Sequence, residues 1–182
     1  MRYAQYFSDT SLAIYLFHGV VEQSKYSVRN YTKKHLERDY FYSVLSDLKK
    51  VGYPLSMDQV IEHNRNSKPF PPNSFAVTFD DGFENNYSIA APILKSLDIP
   101  ATFYITTGWV QDNTMVWIDR IEYCFELTPA GGIQVPWDNN VYHFRNREEK
   151  IKILDYLRDF VRTNQDVDCD ELVTSIFSRC KI

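Results

Sequence analysis

Asp80 and Asp81 stand side by side between the apolar run Phe75-Ala76-Val77-Thr78-Phe79 and Gly82. Two neighbouring carboxylates at the end of a buried strand are opposed by desolvation and by each other's charge unless a cation or hydrogen bonds balance them. Adjacent residues leaving a strand point in different directions, so one carboxylate can hold a divalent metal while the other reaches a water as base. Gly82 permits the sharp turn that this requires. A structural reading competes, in which either carboxylate caps the amides of the following helix. His18 closes a second apolar run, Leu12 to Phe17, where it can face the same mouth and contact substrate or orient a carboxylate; a structural histidine is the alternative. Trp109, Trp117 and Trp137 offer flat faces suited to pyranose rings, with core packing the competing role for at least two of them. His143 on a hairpin and His35 inside a helix read as plain surface or core residues.

These residues need elements to position them. Leu12 to Phe17 is continuously apolar, as suits a strand covered on both faces. From Thr32 onward Leu36, Tyr40, Phe41, Val44, Leu45, Leu48 and Val51 recur at helical spacing, with Lys49 and Lys50 in the last turn and Gly52 as a stop. Ser56 and Gln59 fit a capping box and predict a short helix to about His63, followed by a proline-bearing loop over 64–73. The strand before Asp80 is followed by a helical pattern through Ile89, Ile93, Leu94 and Leu97, and then by a strand from Ala101 to Thr106. Strands alternating with helices predict parallel strands, in a doubly wound sheet or a (β/α) barrel, with the chemistry at the strand C-terminal ends. Beyond Gly108 the pattern predicts a helix near 119–127, a β-hairpin over 133–143, a long amphipathic helix over 147–162 and a last helix over 170–180.

Composition narrows the function classes. A hydrophobic fraction of 44% with 15% aromatic residues supports a packed core in a single domain of 182 residues. A net charge of -4, with lysines and arginines scattered, argues against nucleic-acid binding. The apolar run at Leu12 is too short for a membrane span or a leader segment, which predicts a cytoplasmic protein. Cys124, Cys169 and Cys180 are odd in number and lack CxxC spacing, so reduced thiols are expected.

The stretch Val77-Thr78-Phe79-Asp80-Asp81-Gly82-Phe83 resembles the first motif of the polysaccharide (chitooligosaccharide) deacetylases, carbohydrate esterase family 4. Tyr15-Leu16-Phe17-His18-Gly19-Val20, Gly52-Tyr53-Pro54-Leu55-Ser56, Ala91-Pro92-Ile93-Leu94 and Ile99-Pro100-Ala101-Thr102-Phe103-Tyr104-Ile105 are similar to one branch of it. Met115-Val116-Trp117-Ile118-Asp119-Arg120 and the hairpin are similar to that branch's insertion. The resemblance implies an α/β fold, a distorted and incomplete (β/α) barrel with an inserted β-hairpin and helices. It implies one domain over 1–182, with core elements over 12–108 and an insertion and helical segment over 109–182. The implied activity is hydrolysis of the N-acetyl amide of a saccharide, with Asp80 as general base, Asp81 as ligand to zinc or a similar divalent metal, and His18 and Trp109 as substrate contacts. The implied partner is an N-acetylated saccharide, without nucleic acid.

The family's second motif, two histidines spaced His-Ser/Thr-x-x-His, has no counterpart in this sequence. The four histidines include no pair at helical i, i+4 spacing, and a single carboxylate rarely retains a divalent ion against water. The front portion of a longer protein is one account, in which this chain alone is inactive and exposes apolar surface at an unclosed sheet; a non-catalytic glycan-binding relative is the other. A phosphatase of the haloacid dehalogenase type is disfavoured, because Thr78-Phe79 precede Asp80 where that class requires Asp-x-Asp.

Overall fold

The structure, a computed structural model, describes residues 4–180. It divides into two compact units, one built from the chain up to Ser24 with Lys33–Val110, the other from Lys25–Thr32 with the chain from Gln111 onward.

In the first unit, β5 (Ser74–Phe79) is buried along its whole length and lies at the centre of a four-stranded parallel sheet. Strand β1 (Ala13–Phe17) runs along one edge, pairing Ala13 with Phe75 through to Phe17 with Phe79. Two short strands, β4 (Tyr53–Pro54) and β6 (Ala101–Phe103), share the other edge end to end. The Phe75 carbonyl accepts from the Leu55 N–H and the Phe79 carbonyl from the Tyr104 N–H, each at 2.8 Å. A separate parallel pair is formed by β2 (Gly19–Val21) and β3 (His35–Glu37). The connections carry α1 (Arg38–Val51), α2 (Met57–Arg65), and a π-helical turn over Asn86–Ala90 that runs into α3 (Ala91–Ser96). This is the expected α/β class with parallel strands; among the described residues the sheet stays open.

Strand side chains alternate between faces. Phe75, Val77 and Phe79 share their face with Tyr15 and Phe17 and pack against Phe41, Val44, Leu45 and Leu48 of α1 and Ile93 and Leu94 of α3. Rings meet edge-on at 5.1 Å between Phe17 and Phe41 and stack at 4.9 Å between Phe79 and Phe103. Each such side chain contributes about 1.5–3 kcal/mol by leaving water. The opposite face carries Ala76 and Thr78, with Ile14 and Leu16 opposite them in register, and there Ile14 is 52% and Leu16 54% exposed. The expectation that β1 is covered on both faces therefore fails. On that face α2 reaches Ala76 through Val60 and Met57 but leaves Ile14 and Leu16 of β1 half exposed; a continuous apolar run reads the same whether one face is covered or two.

Two further expectations change. The capping box at Ser56 forms, with its hydroxyl accepting from the Gln59 N–H. Gly52, however, is an extended residue rather than a left-handed stop; a Cβ there would lie 2.6 Å from the Phe7 ring and 2.8 Å from Phe75, so glycine is required by close packing. Helix α1 begins at Arg38, which leaves His35 on β3 instead of in a helix.

The second unit is built from α5 (Trp117–Leu127), the antiparallel hairpin β7 (Gly131–Gln134) and β8 (Val141–Phe144), α6 (Arg147–Thr163) and α7 (Cys169–Phe177). Its core joins Ile121, Phe125, Ile133, Phe144, Leu154, Leu157 and Leu172. Glu126 on α5 receives the backbone N–H groups of Ser27, Val28 and Arg29, and Glu122 that of Asn30, so two carboxylates hold the 25–32 segment to the unit. Cys124 and Cys180 form a disulfide, which corrects the expectation of reduced thiols. Packing of α7 on α5 joins cysteines 56 residues apart, a pairing that neither odd count nor local spacing reveals. Among the described residues no helix is long and apolar enough to cross a membrane.

Candidate active site

Because β1, β5 and β6 are parallel, their C-terminal ends share one rim, and the residues singled out in the sequence fall there. The hydrogen-bond ladder runs one residue past the strands: the Asp80 N–H donates to the Phe17 carbonyl at 3.0 Å. Continuing the register, in which Leu16 faces Thr78 and Phe17 faces Phe79, places His18 alongside Asp80 on the face of Ile14, Leu16 and Thr78. The chain then turns through two consecutive left-handed residues, Asp81 at φ 75° and Gly82 at φ 77°. This reversal directs Asp81 away from the line of Asp80.

The turn is buttressed from two sides. On one, the Thr106 N–H donates to the Asp81 carbonyl at 3.4 Å, and a Cβ on Gly82 would approach Ile105 Cγ2 to 2.9 Å. Strand β6 ends at Phe103, short of the expected Thr106: after the Tyr104 N–H bonds the Phe79 carbonyl, Ile105 and Thr106 turn to the Asp81-Gly82 backbone instead of extending the sheet. Trp109 follows on α4 (Thr107–Asp112), half-buried, its N–H bonded to the Thr106 carbonyl at 3.1 Å. On the other side, Phe83 meets the His35 ring at 4.5 Å between centroids and Asn85 bridges to β2 and β3.

The capping alternative does not describe this turn. Among the described residues neither carboxylate accepts a hydrogen bond, and the π-helical turn that follows has Asn85 at its start without a side-chain cap. Both aspartates are partly exposed. Trp117 and Trp137 belong to the second unit, where both are partly buried against its core. His143 sits on β8 of the same unit.

A zinc-type cation needs three or four histidine, cysteine or carboxylate donors. Among the described residues no three such side chains gather, so the residues present do not fit a complete metal centre.

Residues 67–135, which contain the turn and both aspartates, match the family model described as polysaccharide deacetylase. That stretch is similar to the polysaccharide deacetylase family. The chain is 38% identical over 64 residues to a poly-beta-1,6-N-acetyl-D-glucosamine N-deacetylase of Escherichia coli (strain K12), covering 35% of this chain and 10% of the relative. A protein of the same description from Staphylococcus aureus (strain MSSA476) is 33% identical over 109 residues, covering 59% of this chain and 34% of its own. The chain thus spans about a third or less of the curated relatives it matches. The solved structure of IcaB from Ammonifex degensii overlays with a TM-score of 0.49 at 23% identity, covering 65% of this chain and 50% of that one. His18 lies outside the matched deacetylase stretch, which starts at residue 67.

Asn85 and His35 were the positions that sequence reasoning missed. Their only signal was a polar Asn85-Asn86 pair directly behind the motif, in the first turn of an otherwise apolar helical pattern.

Proposed function

We propose that the protein to which this sequence belongs removes N-acetyl groups from a saccharide chain, and that the Asp80-Asp81-Gly82 turn is the base-bearing part of its site. One observation carries the reading: at the C-terminal rim of parallel strands, both carboxylates are partly exposed and unbonded, with Asp80 beside His18 in register. In that reading Asp80 takes a proton from water as it attacks the acetyl carbonyl carbon. The carbon–nitrogen bond then breaks, leaving acetate and an amine that takes up the proton. The named activity of the two relatives supports an N-acetylated glucosamine polymer as the substrate class.

His18 and Trp109, on the exits of β1 and β6, are the substrate contacts in this reading, and Asp81 is a single carboxylate donor toward zinc or a similar divalent cation. The other donors would be the histidines of the family's second motif, which this sequence lacks, so the 182-residue chain alone is inactive. Residues 109–182 belong to the same deacetylase-type domain as an insertion and helical segment. A non-catalytic glycan-binding module is the second reading, favoured by the absence of any three gathered ligand side chains among the described residues.

Acetate release from N-acetylglucosamine oligomers separates the two. The complete open reading frame should release acetate, and Asp80→Asn should lower the rate by at least about 100-fold with unchanged folding. Binding of oligomers without acetate release in the complete protein would establish the second reading instead.

A further inference from the structure

The second unit holds a cavity of about 440 Å³ whose walls include Trp137, Phe160, Gln165, Asp166, Asp168 and Glu171. Trp137 and Phe160 stack at 4.2 Å between centroids with their planes 6° apart, and the indole N–H donates to the Tyr156 hydroxyl at 2.9 Å. The pair is thereby a fixed, half-buried aromatic wall. The same lining carries three carboxylates, and no lysine or arginine lines the cavity. Asp168 caps α7 by accepting the N–H groups of Asp170 and Glu171. The side chains of Asp166 and Glu171 are exposed and make no hydrogen bond or ion pair among the described residues.

Flat aromatic walls take the apolar face of a pyranose ring, and aromatic faces and carboxylates both attract an ammonium group. An acetamido sugar offers no positive charge to this lining, whereas a sugar bearing a free amine does. We infer that the Trp137–Phe160 cavity binds a glycan with free amino groups, the chemical class that N-deacetylation produces. The inference rests on the deacetylase reading for the origin of that ligand, but the cavity is built from the second unit's own residues and is tested through its own variants.

Calorimetric titration of the 182-residue chain with a fully de-N-acetylated glucosamine hexasaccharide, and with its fully N-acetylated counterpart, reads the preference directly. The free-amine oligomer should bind at least about 10-fold more tightly, and added salt should weaken it, since exposed charge attraction is screened. The double variant Asp166→Asn/Glu171→Gln alters exposed side chains only and should lose that preference. Trp137→Ala should weaken both oligomers. Equal or tighter binding of the acetylated oligomer, no binding of either, or an unaltered preference in the carboxylate variant would overturn the inference. A complete protein that releases no acetate while this preference persists would remove the deacetylase reading and leave the cavity assignment standing.

Discussion

Asn85 ties His35 to the segment that follows the aspartate turn, its Nδ2 donating to His35 Nδ1 at 2.9 Å while its Oδ1 accepts the Val20 N–H at 3.3 Å. The second bond fixes the first: an amide oxygen committed to a backbone N–H turns its nitrogen toward the ring, so His35 Nδ1 must accept and the ring proton must sit on Nε2. Gly19 makes room for the bridge, because a Cβ there would lie 2.6 Å from His35 Nδ1 and 2.7 Å from Asn85 Oδ1. Asn85→Ala removes both bonds and should destabilise the first unit by about 1–3 kcal/mol. Urea unfolding of the variant checks this, and an unchanged midpoint would show that the bridge holds nothing.

The turn itself separates backbone from carboxylate. Asp81 sits at φ 75°, a conformation that asparagine and aspartate tolerate and β-branched residues do not. Asp81→Asn should leave thermal stability within about 0.5 kcal/mol, while Asp81→Val should lose about 1–3 kcal/mol to strain. Similar melting curves for the two variants would contradict the strained turn.

Much of this rim was legible in the sequence because its signals are local. An apolar run stopping at Asp80-Asp81-Gly82 marks a strand end, and the Ser56–Gln59 spacing marks a helix start that the structure confirms. What depended on packing between distant segments was not legible. Whether β1 is covered on one face or two depends on what lies across the sheet, and the role of Gly52 depends on the Phe7 and Phe75 rings. The Asn85–His35 bridge spans 50 residues and the Cys124–Cys180 bond 56, so no window of sequence contains either pair.

The open sheet face gives a solution prediction. Ile14 and Leu16 are each about half exposed on one strand, and exposed apolar strands template association. Replacing both with threonine should reduce self-association in sedimentation velocity at high concentration while shifting stability by little. A parent chain that stays monomeric at every concentration would count against the face being adhesive.

Glu126 supplies a pH dependence with a definite sign. Burial pushes its carboxyl up, but the N–H groups of Val28, Ser27 and Arg29 outweigh this and hold it below the usual carboxylate range. A folded-state pKa below the unfolded one means that its stabilisation is present above about pH 4.3 and is lost as pH falls through the folded value. Glu122 acts in the opposite sense, since burial raises its carboxyl, so the comparison must isolate Glu126. The stability gap between parent and Glu126→Gln should be widest near neutrality and narrow below about pH 4. A gap independent of pH would mean that charge plays no part in holding the 25–32 segment.

The disulfide offers the last test and bears on the second unit alone. Cys124 is fully buried in the core, Cys180 lies beyond α7, and Cys169 is the one free cysteine. Closing a loop of this length constrains the unfolded chain, and such bonds contribute about 2–4 kcal/mol. Thiol titration of the unfolded, unreduced chain should count one thiol per molecule, rising to three after reduction. Cys180→Ser should lower the unfolding midpoint of the second unit, followed by hydrogen exchange of α5 and α7, and leave exchange in β5 unchanged. Three titratable thiols in protein purified without reductant would show that the pair stays reduced, and the helices would then owe their packing to the Phe125 and Leu172 core alone.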